Sequence, residues 1–247
     1  MSCFHPRDAL QLESGAPLRL SRPRNAAKYT KLPLPCGQCI GCYSDKAAEW
    51  AIRLVHEAQM FPAARNFFAT LTYADEHLPQ YKEARKDHVR GFIKDLRREF
   101  RRKHGHREGI RYFAAAEYGS QETERPHYHI ALMNLPLHLD GPPLFFRSHG
   151  GQRSYYYESG LLGEIWKKGF VNVTALNPAT IRYICDYILK ELEHGRWRRD
   201  YACVDERTGE WIEARQPPFR SMSQGLGRSW FDRFTGDVFP KDFLRSE

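Results

Sequence analysis

The chain has 247 residues, 41% hydrophobic and 28% charged, a composition that suits one compact domain with decorations or two small ones. Its longest apolar runs, such as Phe67-Phe68-Ala69, fall far short of the ~20 residues of a membrane span, and the opening MSCFHPRDAL lacks a signal peptide's apolar core, so a soluble, unexported protein is expected. Lysine and arginine number 38 against 30 acids, a net charge of +8, which favours a polyanion and makes nucleic acid the first partner to consider.

The first 35 residues read as loop, because Pro6, Pro17, Pro23, Pro33 and Pro35 interrupt any helical register. From Ser44, the residues Ala47, Trp50, Ala51, Leu54, Val55 and Ala58 recur at helical spacing and stop before Pro62. Asn66 to Tyr73, rich in aromatic and β-branched residues, reads as a strand. A helix follows, with Asp87 as its expected cap, an apolar stripe of Val89, Phe92, Ile93, Leu96 and Phe100, and a basic C-terminal end. Ile110 to Glu117 and His127 to Asn134 read as an antiparallel pair of strands. Residues 136–160 look like an insertion, and Gly169 to Thr174 returns to strand-like composition. Asn177 as cap, Pro178 in the first turn and Gly195 as exit delimit a helix over Pro178 to His194. No regular period marks the tail. The expected fold class is α+β, an antiparallel sheet with flanking helices.

Two groups of residues carry chemistry. His127 and His129 alternate in a strand, so their imidazoles share one face at roughly 6.5 to 7 Å and can converge on one ion. Glu117, at the end of the neighbouring strand, can reach the same face. Such nitrogen and oxygen donors suit Mg²⁺ or Mn²⁺, and residue type alone leaves zinc open. On the last helix Ile181, Ile184, Ile188 and Leu192 form the apolar stripe, while Tyr183, Tyr187 and Lys190 fall opposite. A phenol there can act as a nucleophile, and a cation one turn away favours its ionised form. The bland alternatives are surface histidines and surface tyrosines.

Cys36, Cys39 and Cys42 have the spacing C-x₂-C-x₂-C, which in a reduced compartment points to metal ahead of disulfides. Cys3 is the leading fourth ligand and His5 the next, which would close a structural zinc site. An iron-sulfur run would want cysteine where Lys46 stands. Free thiols are the remaining reading, and Cys185 and Cys203 are expected to be buried or incidental. Arg97, Arg98, Arg101 and Arg102 are candidates for DNA backbone contacts, against the alternative of a solvated helix face.

With these parts in view the chain resembles the replication initiation proteins of small single-stranded DNA phages, the gokushovirus-like microviruses, within the HUH endonucleases. The resemblance runs in order through CGQCIGC (36–42), FFATLTYADEHLP (67–79), AEYG (116–119), RPHYH (125–129), YICDYILK (183–190) and SMSQGLGRSWFDRF (221–234). It implies an HUH-endonuclease, RRM-like core, with His127 and His129 as metal ligands, Glu117 completing the site, and Tyr183 and Tyr187 as the catalytic pair. Lys190, at Tyr-x-x-Lys spacing, favours Tyr187 for the first cut.

The implied activity is origin-specific nicking and joining of single-stranded DNA through a 5′-phosphotyrosine link, which starts rolling-circle replication in the cytoplasm of a bacterial host. No G-x-x-x-x-G-K-[ST] motif occurs, so no nucleotide cofactor is expected and a helicase, like the polymerase, would come from the host. The expected division is an N-terminal arm, zinc element and first helix over 1–62, the HUH core with its insertion over 63–195, and a tail over 196–247 packing on the core. The competing readings are a non-catalytic single-strand binder that stacks bases on residues such as Tyr155 to Tyr157, and a plasmid initiator, relaxase or transposase of the same chemistry.

Overall fold

The computed structural model describes residues 2–12, 18–20, 29–105, 109–119, 125–137, 144–147, 153–196, 203–204, 207–212 and 216–238. In chain order, strands β1 (Arg7–Leu12) and β2 (Tyr29–Leu34) precede helix α1 (Ile40–Gln59), strand β3 (Phe67–Thr72) and helix α2 (Lys86–His104). Strands β4 (Arg111–Tyr118), β5 (Pro126–Met133), β6 (Leu144–Arg147) and β7 (Arg153–Glu158) follow. Then come α3 (Gly160–Trp166), β8 (Val171–Ala175) and α4 (Pro178–Arg196). The chain closes with the short strands β9 (Cys203–Val204), β10 (Trp211–Ile212) and β11 (Arg220–Met222), and helix α5 (Arg228–Val238).

The architecture is α+β, built on a seven-stranded sheet of order β11-β4-β5-β3-β8-β7-β6 in which every pairing is antiparallel. Alternation along each strand divides its side chains between two cores. Ala69 and Leu71 of β3 and Tyr128, Ile130 and Leu132 of β5 pack beneath the α2 stripe of Val89, Phe92, Ile93, Leu96 and Phe100, joined by Leu162 and Trp166 of α3. Phe68, Phe113, Ala115, Ala131 and Met133 face the other way, onto Ala47 and Leu54 of α1 and Ile181, Ile184 and Ile188 of α4. Burial on both faces explains why β4 and β5 read as continuous apolar runs. Among the described residues no helix is long and apolar enough to cross a membrane.

Several expectations change. The proline-rich start holds the β1–β2 hairpin, with Pro33 opposite Asp8. A two-stranded ribbon leaves each strand one edge with no donor duty, so proline is tolerated. Asp87 does not cap α2: Arg85 holds the cap position, and Asp87 in the first turn accepts from its guanidinium at 2.9 and 3.1 Å. An acid there still complements the helix dipole.

Asn177 and Thr180 cap α4 reciprocally, Thr180 N donating to Asn177 Oδ1 at 3.0 Å and Asn177 N to Thr180 Oγ1 at 2.9 Å. Gly195, expected as the exit, lies inside the helix. The segment read as an insertion carries the β6–β7 hairpin, which extends the sheet through β8. At the other edge β11 pairs with β4, and Phe219, Ser223 and Leu226 are buried. A three-residue strand has no period for the sequence to reveal.

Candidate active site and cysteine centre

Strand register assembles the first site. Glu117 lies opposite His127 and Ala115 opposite His129 across β4–β5, while β3 places Thr72 and Thr70 on the other side of the same two rows. The two histidines and Glu117 therefore share the sheet face that α4 covers. His129 is buried, its ring between Phe68 at 5.6 Å and Tyr187 at 4.9 Å, nearly parallel to both. Its Nδ1 lies 3.1 Å from Thr70 Oγ1. Its Nε2 lies 3.0 Å from the Tyr187 hydroxyl and 3.4 Å from Glu117 Oε2. A Thr70 hydroxyl accepting from Nδ1–H selects the tautomer whose Nε2 lone pair points at the carboxylate and phenol. Thr70 and Phe68 escaped the sequence reading, although their alternation in NFFATLTY with the β3–β5 register would have found both.

Tyr183 and Tyr187, one helical turn apart, are linked by a short hydrogen bond in which Tyr187 donates. They differ in environment. Tyr187 is 6% exposed and packs with the core cluster of Ile181, Ile184 and Ile188, whereas Tyr183 is 50% exposed. The expected placement of both opposite the apolar stripe is thus corrected for Tyr187, which sits at the margin of the stripe and is covered when α4 docks. Burial pushes its phenol pKa up, with Glu117 and Tyr183 acting in the same direction. The Lys190 side chain lies outside the described residues.

His127 Nδ1 is buried and has no hydrogen-bond partner among the described residues. Burial holds this imidazole's pKa below the ordinary value, His129 adding to the effect while the Arg125 backbone and Glu117 oppose it. Two neutral imidazoles and a carboxylate form a donor set that can take a divalent ion. It is looser than the second centre.

That second centre is the cysteine cluster, where Cys3, Cys36, Cys39 and Cys42 offer sulfurs all within 4.8 Å of one another. Gly41 permits this, because a Cβ there would run into the Ser2 carbonyl and lift the N-terminal segment that carries Cys3. Ser2 is also tied to Asp45, Oγ donating to Oδ1 at 2.6 Å. Backbone donors from Cys42 and Phe4 lower Cys39 to about 6, and the Cys36 backbone lowers Cys3. Burial raises Cys42 to about 12. Four thiolates this close repel one another unless a cation neutralises them, so the cluster can hold a metal such as zinc.

The four arginines of α2 lie on the opposite face of the sheet from the tyrosines. Arg97 donates to the Ile110 carbonyl at 2.7 and 3.1 Å and covers the Tyr112 ring. Arg98 pairs with Asp95 at 2.9 Å and Arg102 with Glu99 at 3.2 Å. Arg97, Arg98 and Arg101 line a groove of about 470 Å³ together with Arg90 and Lys94, two cations the sequence reading passed over.

Comparison with known proteins places this geometry. The family described as replication-associated protein ORF2 matches residues 66–192, the span from β3 through most of α4. The replication-associated protein ORF2 of Spiroplasma virus 4 is 31% identical over 98% of this chain and 73% of its own length. The chain belongs to this family. The replication-associated protein VP4 of Bdellovibrio phage phiMH2K is 26% identical over 99% of the chain and 71% of its own length. The replication-associated protein ORF4 of Chlamydia phage 1 is 27% identical over 68% of the chain and 41% of its own length. These three relatives of the replication-associated protein all come from phages. No solved structure matches it with significance.

Proposed function

We propose that this replication-associated protein is a metal-dependent HUH endonuclease that nicks and rejoins single-stranded DNA at a phage origin, starting rolling-circle replication in the cytoplasm of a bacterial host. The observation that carries the reading is the chain of contacts from Tyr183 through Tyr187 to His129 and Glu117. A protein that only binds DNA has no use for two phenols joined to an imidazole and a carboxylate. Residues 63–195 would form the catalytic unit, with 1–62 and 196–247 supporting it. The polymerase and helicase would be the host's.

His127, His129 and Glu117 would hold Mg²⁺ or Mn²⁺, and the orphaned buried nitrogen of His127 fits a site that expects a further partner. A bound ion would polarise a non-bridging phosphate oxygen. In the transfer the tyrosine oxygen bonds to phosphorus, the bond from phosphorus to the 3′-oxygen breaks, and the phenol proton ends on the freed 3′-hydroxyl. The product is a 5′-phosphotyrosine, which keeps the bond energy for rejoining and needs no ATP. Lys190, if aimed at Tyr187, would stabilise its phenolate. Exposure nevertheless favours Tyr183 for the first cut, since a strand reaches that phenol without moving α4.

Cys3, Cys36, Cys39 and Cys42 would hold structural zinc. Arg98, Arg101 and Arg102 would contact flanking phosphates, with Arg97 shaping the groove wall. Glutamate at the first three should flatten the salt dependence of DNA binding.

The test is incubation with Mn²⁺ or Mg²⁺ and labelled origin single strand, followed by denaturation. A protein-DNA adduct is expected, lost when phenylalanine replaces both Tyr183 and Tyr187. Complexes without adduct or nick would overturn the enzymatic reading.

A further inference from the structure

Phe170 is 57% exposed, among the most exposed large apolar side chains described. A scattered surface phenylalanine calls for no explanation; this one is held in a specific place. Its N–H donates to the Thr72 carbonyl at 3.2 Å and its carbonyl accepts from Thr72 N at 3.0 Å, so it continues the β3–β8 register by one residue. Thr72 in turn lies opposite His127, and His127 opposite Glu117. One row across the sheet therefore reads Glu117, His127, Thr72, Phe170.

Alternation puts Phe170 on the histidine face, since the next residue, Val171, is buried in the core beneath α2. At about 4.8 Å per strand, the ring's backbone stands roughly 10 Å from that of His127.

The position is rigid. Gly169 has φ +149°, and a Cβ there would fall on the Thr72 carbonyl and the Ala74 amide. The Trp166 indole donates to the same Thr72 carbonyl at 2.9 Å, and Ala74 N donates to the Lys168 carbonyl at 2.8 Å. Strand β7 pairs with β8 only as far as Glu158 opposite Asn172, so no strand residue flanks Phe170 on its outer side. Among the described residues no ring packs on it. Exposed Lys167 lies three residues away.

We propose that Phe170 is a stacking platform for an unpaired nucleobase beside the phosphate held at His127 and His129. A flat π face fixed at the end of the metal-donor row accepts any base, positions the strand along the row and leaves the phosphate facing α4. The inference rests on the single-strand substrate proposed above and adds the subsite that holds it.

The test is fluorescence anisotropy of a labelled origin single strand with the full chain carrying Phe170→Ala, Phe170→Leu or Phe170→Trp. Alanine and leucine should each weaken binding about 10-fold, the scale of one base-aromatic stack. Tryptophan should restore it and show emission quenched by DNA beyond that of the unsubstituted protein. Unchanged affinity in Phe170→Ala, or leucine binding as well as tryptophan, would overturn the platform. Adduct assays on the same proteins separate the two claims. Adduct formation by the unsubstituted protein with undiminished binding in Phe170→Ala sinks the platform alone. Lost binding in Phe170→Ala with no adduct from any protein sinks the nicking reading alone.

Discussion

The hydroxyl of Tyr187 lies 3.0 Å from Nε2 of His129, and their rings stack at 4.9 Å. This contact ties a helix near the C-terminal end of the matched region to the central strand β5 of the sheet. It gives the imidazole nitrogen that faces Glu117 a phenol partner, so what touches Tyr187 also acts on the proposed metal site.

Thr70 holds the other nitrogen of that ring. Replacing it with valine keeps the shape and removes the hydroxyl 3.1 Å from Nδ1. The ring then loses its orienting partner, and Mn²⁺ affinity should fall by roughly 10- to 100-fold, the usual cost of such an outer-shell loss. Calorimetric titration of Thr70→Val with Mn²⁺ checks this, and an affinity equal to the parent's would show that Thr70 is incidental.

His127 makes stability fall in mild acid. Its pKa in the folded protein lies below the ordinary value, chiefly through burial, and burial acts the same way on His88. The unfolded chain therefore takes up these protons first, so stabilisation present above about pH 6.5 is progressively lost below it. Urea unfolding of the metal-free protein between about pH 7.5 and 5 should show this slope. His127→Asn should show a shallower one.

Zinc uptake at the cysteines should release protons. At neutral pH Cys39, at about 6, is already a thiolate, whereas Cys42, at about 12, keeps its proton until a metal displaces it. Titrating zinc into reduced protein in weak buffer should therefore acidify the solution, with affinity rising as pH rises. Gly41→Ala, which drives a Cβ into the Ser2 carbonyl, should weaken zinc binding by withdrawing Cys3. Elemental analysis finding full zinc in that variant would count against the fourth ligand.

Tyr128 sits between the two histidines in sequence but points into the other core, fully buried. Its hydroxyl lies 2.7 Å from that of Tyr73 and accepts from Arg85 N at 2.7 Å. Tyr128→Phe leaves a backbone donor and a buried phenol short of a partner, at a cost of about 1–3 kcal/mol in denaturant unfolding. A smaller loss would mean the segment before α2 relaxes to find water.

Much of the site was legible in the chain itself, because strand and helix periods act locally. Two residues apart in a strand, His127 and His129 had to share a face, and the cap at Asn177 with the isoleucine stripe set the start and buried side of α4. The spacing of Cys36, Cys39 and Cys42 likewise follows from one turn of chain running into α1.

Other features depend on segments distant in sequence coming together, which no local period encodes. Cys3 joins its partners across more than thirty residues because Gly41 has no side chain. Tyr187, at the edge of the apolar stripe, is buried only once α4 packs on the sheet against α1. The arginines of α2 lie behind the sheet because Val89, Phe92 and Leu96 choose the face that Tyr128 occupies. Phe170 joins the histidine row only through its pairing with Thr72. Periodicity settles which residues share a face, whereas the closure of distant strands and the packing of helices on them decide which faces meet.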